Sequence, residues 1–295
     1  MQSSQQMAKL MAVLVLLAVV AAAETRQEFR FTVNPHVTLA IINQYGDITV
    51  HPSSGNIVVI VASLASDKAE IDRSPENPAD SLVTNRINIT THLLAGATAE
   101  NGRVDYDVMV PSNASVLMQS TTGTLRAQNL HGDVEVEGTS TPVDIRDISD
   151  AHVHVKTMNG AVALTNIQGG HVEVESVSGN IQLANVAAPQ VRVRSTSGKI
   201  IYDGDFGYTG EYRLSNHTGD IDAIIPQTAS AEIRAQSLRG KVQDDAHLEP
   251  KKHVGNVIPG AQGFFGTTIS TVRQVSSVWL STFSGKIHLT RRSQQ

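Results

Sequence analysis

Apolar and polar residues alternate along most of the chain in short runs, and most of these runs follow a turn that contains glycine. Typical segments read VSGNIQL, TSGKIIY and HTGDIDA, and equivalent turns recur every 18 to 21 residues. The turn glycines are Gly123, Gly160, Gly179, Gly198, Gly219 and Gly240, with Thr141 at the matching place in the coil that lacks one. Because successive side chains of a strand point to opposite faces, each run predicts a strand with one buried face.

A second series of alternating runs lies between the glycine turns at the same spacing, for example AHVHVK, GHVEVE and PQVRVR. One predicted inward column of this series contains Val134, Val153, Val172, Val191, Tyr212 and Ile233. A single coil cannot bury such a face, whereas stacked coils share one continuous core. We therefore predict an all-β fold, a parallel β-solenoid or β-helix, with two main strands in each coil of 19–21 residues.

The turns contain repeated polar residues of their own. Three positions before the glycines stand the small hydrogen-bonding residues Ser120, Thr157, Ser176, Ser195, Asn216 and Ser237. The opposite corner repeats Asn129, Asp147, Asn166 and Asn185. Side chains of these types bond turn backbone and, when stacked, one another, so both columns predict turn structure.

The pattern divides the chain into five parts. Residues 1–23 are predicted to be a signal peptide and residues 24–115 the N-terminal part of the solenoid, with an irregular insertion near 66–78. Residues 116–243 form the regular coils, residues 244–274 an inserted loop or cap, and residues 275–295 the terminal coil and tail. Charge and proline in the first insertion, and Pro250, Pro259 and several glycines in the second, favour protruding loops.

The first residues predict export. Lys9 precedes an apolar run from Leu10 to Ala23 that ends in three alanines, as in a cleaved signal peptide. As a helix this run would rise about 21 Å, short of the roughly 30 Å hydrocarbon core of a membrane. We expect the mature chain in the periplasm, at the cell surface or secreted, with no membrane span after cleavage.

Charge and composition exclude some partners. The net charge is −5, and −6 without Lys9, which argues against nucleic acid as a partner. The chain contains no cysteine, so neither a disulfide framework nor a lipidated cysteine is available. We expect no cofactor.

The repeated [ST]-x-G-x-[IV] strand starts, the segment from Asp105 to Ala127 and the closing FSGKIHLTRR resemble the bacterial putative-adhesin family of unknown function, the DUF4097 type. The resemblance covers roughly residues 30 to 292. It implies a β-solenoid in the cell envelope and supplies no catalytic residues.

The outward columns contain the candidate ligand-binding residues. Arg192, Arg213 and Arg234 are predicted to form a stripe that could receive an acidic polymer, although a charge-laced solvated face would use the same residues. Trp279 should face outward in the same column, either as a sugar-stacking platform or covered by the folded-back insertion.

Catalytic and metal sites are not predicted. Asp220 and Asp222 project from one strand face about 6.6 Å apart, as carboxylates of a carbohydrate-cleaving enzyme could, but lysines are expected to stack beside Asp220. His152 and His171 stack without a third ligand, fewer than a zinc site needs.

The sequence thus favours an exported, non-enzymatic β-solenoid, an adhesin or structural module that contacts an envelope or extracellular glycan or protein. A carbohydrate-active β-helix enzyme is one alternative. The other is an envelope scaffold that self-associates through the solenoid ends, which edge strands would permit.

Overall fold

The computed structural model describes residues 25–76, 83–207, 209–250, 262–268 and 275–293. The predicted signal peptide therefore lies outside the described residues. Within the described ranges no helix is long and apolar enough to cross a membrane. The described chain is built from β-strands, as the alternating pattern predicts.

The described residues form 24 strands. They are β1 (Thr25–Ile42), β2 (Ile48–Pro52), β3 (Ile57–Leu64), β4 (Ala69–Glu76), β5 (Thr84–Leu93), β6 (Val104–Val110), β7 (Ser115–Thr122), β8 (Leu125–Leu130), β9 (Val134–Ser140), β10 (Val143–Ser149), β11 (Val153–Thr157), β12 (Val162–Gln168), β13 (His171–Ser176), β14 (Ile181–Ala187), β15 (Gln190–Ser195), β16 (Ile200–Asp203), β17 (Glu211–Asn216), β18 (Ile221–Ile225), β19 (Ala231–Ser237), β20 (Val242–Asp244), β21 (Glu249–Pro250), β22 (Gln262–Thr267), β23 (Ser276–Thr282) and β24 (Ile287–Arg291).

Each regular coil contributes one strand to each of two long, mostly parallel sheets. Sheet A runs β1, β3, β6, β2, β8, β10, β12, β14, β16, β18, β24 and β20. Sheet B runs β4, β5, β1, β7, β9, β11, β13, β15, β17, β23, β19, β22 and β21. The predicted solenoid with two strands per coil is confirmed.

The inward columns form one core. Val153 stands in register with Val172, and Val172 with Val191, and all three are buried. Inward residues of both sheets belong to a single hydrophobic cluster that extends from Phe29 to Leu289. Stacking therefore buries a continuous apolar interior that no coil could bury alone.

The predicted turn columns are hydrogen bonded. The amide of Gly179 donates to Ser176 Oγ at 3.1 Å, and equivalent bonds recur in neighbouring turns. At the other corner Asn166 donates to Asp147 Oδ1, and Asn185 to Asn166 Oδ1, each at 2.8 Å. Asn and Asp suit this corner also because these residues have positive φ near 55°.

The coils do not stack in chain order at either end. The final coil, β23–β24, lies between β17–β18 and β19–β20, so Val278 separates Tyr212 from Ile233. The expected direct contact of Tyr212 with Ile233 is therefore wrong. At the other end the first coil, β1–β2, lies between β5–β6 and β7–β8. At this end β3 pairs antiparallel with β1 and β6, and β4 pairs antiparallel with β5.

The two expected insertions are partly strands. Residues 69–76, expected to be irregular, form β4 and pair antiparallel with β5 at the edge of sheet B, with Ala69 buried in the core. Within the 244–274 segment β21 and β22 extend sheet B beyond β19. Residues 251–261 and 269–274 lie outside the described residues.

Candidate binding surface

The predicted site residues lie in one outward column of sheet B. Arg192 is in register with Arg213, Arg213 with Trp279, and Trp279 with Arg234. Trp279 therefore interrupts the expected stripe of three arginines, since the coil that contains it is inserted between the coils of Arg213 and Arg234. The structure brings all four predicted residues together.

Two of the arginines are paired with carboxylates. Arg192 Nη1 lies 3.6 Å from Glu173 Oε1 on the neighbouring strand, and Arg213 Nη2 lies 3.1 Å from Glu211 Oε1 on its own strand. These pairs are partly solvated, so each contributes little to stability. Their charges are nevertheless locally balanced.

Arg234 has a different environment. Its guanidinium carbon lies 4.8 Å from the centroid of the Trp279 ring and 5.3 Å from that of Phe265. Phe265 is in register with Arg234 on the antiparallel strand β22. Within the described residues no carboxylate lies within ion-pair distance of Arg234. Its guanidinium group therefore contacts aromatic rings where Arg192 and Arg213 contact carboxylates.

This arrangement suits the recognition of an anion. A guanidinium over a ring is attracted by the quadrupole of the ring. Its N–H groups point outward in the guanidinium plane, where they match the two oxygens of a carboxylate or sulfate. Trp279 and Phe265 thus orient Arg234, and no carboxylate of the described residues neutralises its charge.

Trp279 is 38% exposed, but arginines flank it on both sides. Arg213 lies 6.0 Å from the ring centroid and Arg234 4.8 Å. The ring is therefore better placed to hold guanidinium groups than to stack on a sugar. The described part of the 244–274 insertion does not cover Trp279, because β22 pairs with the far side of β19.

The two carboxylates of the enzyme hypothesis have structural contacts. Asp220 Oδ1 accepts a hydrogen bond from the Lys286 amide at 2.7 Å, and Lys199 Nζ lies 2.5 Å from Asp222 Oδ2. The expected neighbour Lys241 is one coil further away, because β24 lies between β18 and β20. Asp220 and Asp222 thus join neighbouring coils.

A second feature of sheet B is a groove of about 630 Å³ that runs along the solenoid axis. It crosses the ends of β1, β7, β9, β11, β13 and β15 and the turns that follow them. One side contains the outward residues Gln119, Glu137, Lys156, Glu175 and Arg194. We call this feature the axial groove.

The other side of the axial groove is partly apolar. Met158 is 52% exposed and Val177 46%. Ile42, which is 39% exposed, lies on the first side, because it is in register with Gln119. The sequence reasoning missed the groove because it treated the turns as purely structural. A signal was present: Met158 and Val177 directly follow the small residues Thr157 and Ser176, at a turn position where water-facing residues are expected.

The chain is similar to the crystal structure of a putative cell adhesion protein from Clostridium sporogenes, with 12% identity, a TM-score of 0.26, and 91% of this chain and 100% of that chain covered. It is also similar to that of a putative adhesin from Parabacteroides merdae, with 9% identity, a TM-score of 0.38, and 92% and 98% covered. No curated protein matches the sequence. The family model Toastrack DUF4097 matches residues 29–290, which include every strand from β2 to β23, and the chain therefore belongs to that family.

Proposed function

We propose that this protein is an exported, non-enzymatic binding module with an adhesin-like role, and that sheet B receives an acidic polymer at Arg234. The observation that carries the proposal is the guanidinium of Arg234 between Trp279 and Phe265, with no carboxylate partner in the described residues. An anionic glycan of the envelope or its surroundings fits this chemistry, because its carboxylate or sulfate groups accept paired N–H bonds. Export rests on the apolar run from Leu10 to Ala23.

The charge pattern of the column supports the same ligand class. Glu135 and Glu173 lie toward the N-terminal end, whereas Arg192, Arg213 and Arg234 lie toward the other end. Glu173 and Glu211 balance Arg192 and Arg213, so among the described residues the positive charge that is left in this column is that of Arg234. A local positive charge attracts anionic groups although the protein as a whole is mildly acidic.

Binding of polygalacturonate to the purified protein, measured by titration calorimetry at low salt, tests the proposal. Arg234→Ala should weaken binding about tenfold, because a charge-assisted bidentate contact is lost. The matched control is Arg86→Ala, which removes the same charge from an exposed position near the other end of sheet B. Equal binding by the protein and Arg234→Ala would contradict the proposed site.

The same samples separate the alternatives. Release of new reducing ends from the polymer, abolished by Asp220→Asn, would replace the binding module by an enzyme. Self-association through the solenoid ends stays a prediction, which sedimentation of the purified protein at increasing concentration checks.

A further inference from the structure

The axial groove differs from the Arg234 site in its charge. Its polar side presents Glu137, Lys156, Glu175 and Arg194 on successive strands, so negative and positive charges alternate. Arg194 Nη1 lies 3.1 Å from Glu175 Oε1, so these two charges form an ion pair. Because the four charges sum to zero, the groove offers no net attraction for a charged polymer.

The backbone of the groove turns is already hydrogen bonded. The amide of Met158 donates to the Gly138 carbonyl at 3.1 Å, and that of Val177 to the Thr157 carbonyl at 3.2 Å. The Met158 carbonyl in turn accepts from Ser178 at 2.8 Å. An extended peptide binds a β-protein mainly by adding main-chain hydrogen bonds to free backbone groups, and these turn groups are occupied. A ligand must therefore bond through the side chains.

The two sides of the groove suit the two kinds of surface on a sugar ring. Met158 and Val177 offer apolar contact to its C–H face, while Glu137, Lys156 and Gln119 offer donors and acceptors to its hydroxyl groups. The side chains repeat at the strand spacing of about 4.8 Å. One pyranose unit of a linear glycan has about this length, so successive units would lie over successive coils, with apolar contact at the coils of Met158 and Val177.

We infer that the axial groove binds an uncharged linear glycan, which lies along the solenoid axis with one sugar unit per coil. This site goes beyond the proposed function, since it uses other residues and binds an uncharged ligand, whereas the Arg234 site binds an acidic one. Arg192 and Arg194 alternate with Val193 on β15, so the end of the groove adjoins the start of the arginine column. A chain with neutral and acidic portions could therefore engage both sites.

Calorimetric titration with neutral oligomers of β-linked glucose and of N-acetylglucosamine, in order of increasing length, tests the inference. Affinity for one of the two series should rise with length and level off near about six units, because the groove crosses about six strands at about 4.8 Å each. The double substitution Met158→Glu and Val177→Glu should weaken binding at least about tenfold. Met109→Glu, at a residue of sheet A that is 40% exposed, is the matched control.

Several results would overturn the inference. These are no binding of either series, affinity that does not depend on length, or equal loss in Met109→Glu and the double variant. Binding of an extended peptide library that is lost in the double variant, with no glycan binding, would assign the groove to peptides. Circular dichroism and thermal unfolding confirm that the variants fold. Arg234→Ala should leave neutral-glycan binding unchanged, so failure of one site is distinguishable from failure of the other.

Discussion

The guanidinium carbon of Arg234 lies 4.8 Å from the centre of the Trp279 ring, although 45 positions separate the two residues in the chain. The contact exists because β23 pairs with β19 on one side and with β17 on the other. The binding surface thus depends on where the last coil is inserted.

The Arg234–Trp279 contact should be measurable as a coupling energy. In a double-mutant cycle of Arg234→Ala and Trp279→Ala, we expect a coupling of about 0.5–1 kcal/mol in the free energy of unfolding, as for an exposed cation–π pair. Urea denaturation measures it. The cycle of Arg192→Ala with Trp279→Ala is the control, because the strand β17 lies between them. Equal coupling in both cycles would show that the ring contact contributes nothing specific.

Removal of the inserted coil β23–β24 should expose the strands on both sides of it. In a chain that ends after residue 274, β19 loses its parallel partner β23 and β20 loses β24. Amide hydrogen exchange should therefore lose protection in β19 as well as in β17 and β18, whereas β11 and β13 should stay protected. A chain that ends at Ser293 is the control, since it retains both strands of the coil. Protection of β19 in the shorter chain would mean that β19 packs directly on β17.

Sequence periodicity predicted the columns but not the order of the coils. The spacing that defines a strand and turn is local, so Val153, Val172 and Val191 could be aligned from the sequence. Val278 and Ile233 are equally apolar and fit equally well beside Tyr212. The place of Trp279 beside Arg234 therefore depends on tertiary pairing, which periodicity does not encode.

Strand β4 and the axial groove do not follow from the repeat, for two different reasons. Strand β4 contains few apolar residues and pairs antiparallel with β5. It therefore lacks the repeated pattern by which the other strands were predicted. The axial groove is a shape between a strand end and a turn. Met158 and Val177 are visible in the sequence, but the concave surface beside them is not.

Gly179 in the glycine column should tolerate no side chain. A Cβ on Gly179 would lie 1.7 Å from the carbonyl oxygen of Gly160, and a backbone atom held in a stacked turn cannot move away cheaply. We expect Gly179→Ala to lower the free energy of unfolding by about 3 kcal/mol or more, at the upper end of overpacking effects. Gly263→Ala is the control, because its Cβ would meet the Ala235 oxygen at 3.8 Å, an ordinary contact. A loss below about 1 kcal/mol at Gly179, as for a surface substitution, would refute the close stacking of these turns.

Tyr106 should make stability fall at high pH. Burial raises its pKa from 10.0 to about 12, although its hydroxyl bonds to Thr91 at 2.7 Å. The unfolded chain ionises first as the pH rises. The free energy of unfolding is therefore unaffected by ionisation of this tyrosine below pH 10.0, and it falls as the pH rises from 10.0 to about 12. Two pKa units correspond to about 3 kcal/mol.

Urea unfolding of the protein and of Tyr106→Phe between pH 8 and pH 12 isolates this effect. Below pH 10 the variant should be the less stable, by about 1 kcal/mol for the lost hydrogen bond. Above pH 10 the difference should shrink and reverse, because only the protein with Tyr106 must keep a buried phenol protonated. Tyr202 and Tyr212, whose pKa values are also raised by burial, are present in both proteins, so their contributions cancel in the difference. Tyr45→Phe, at a half-buried phenol, is the control. A difference that stays constant over the whole range would show that the Tyr106 hydroxyl is open to water.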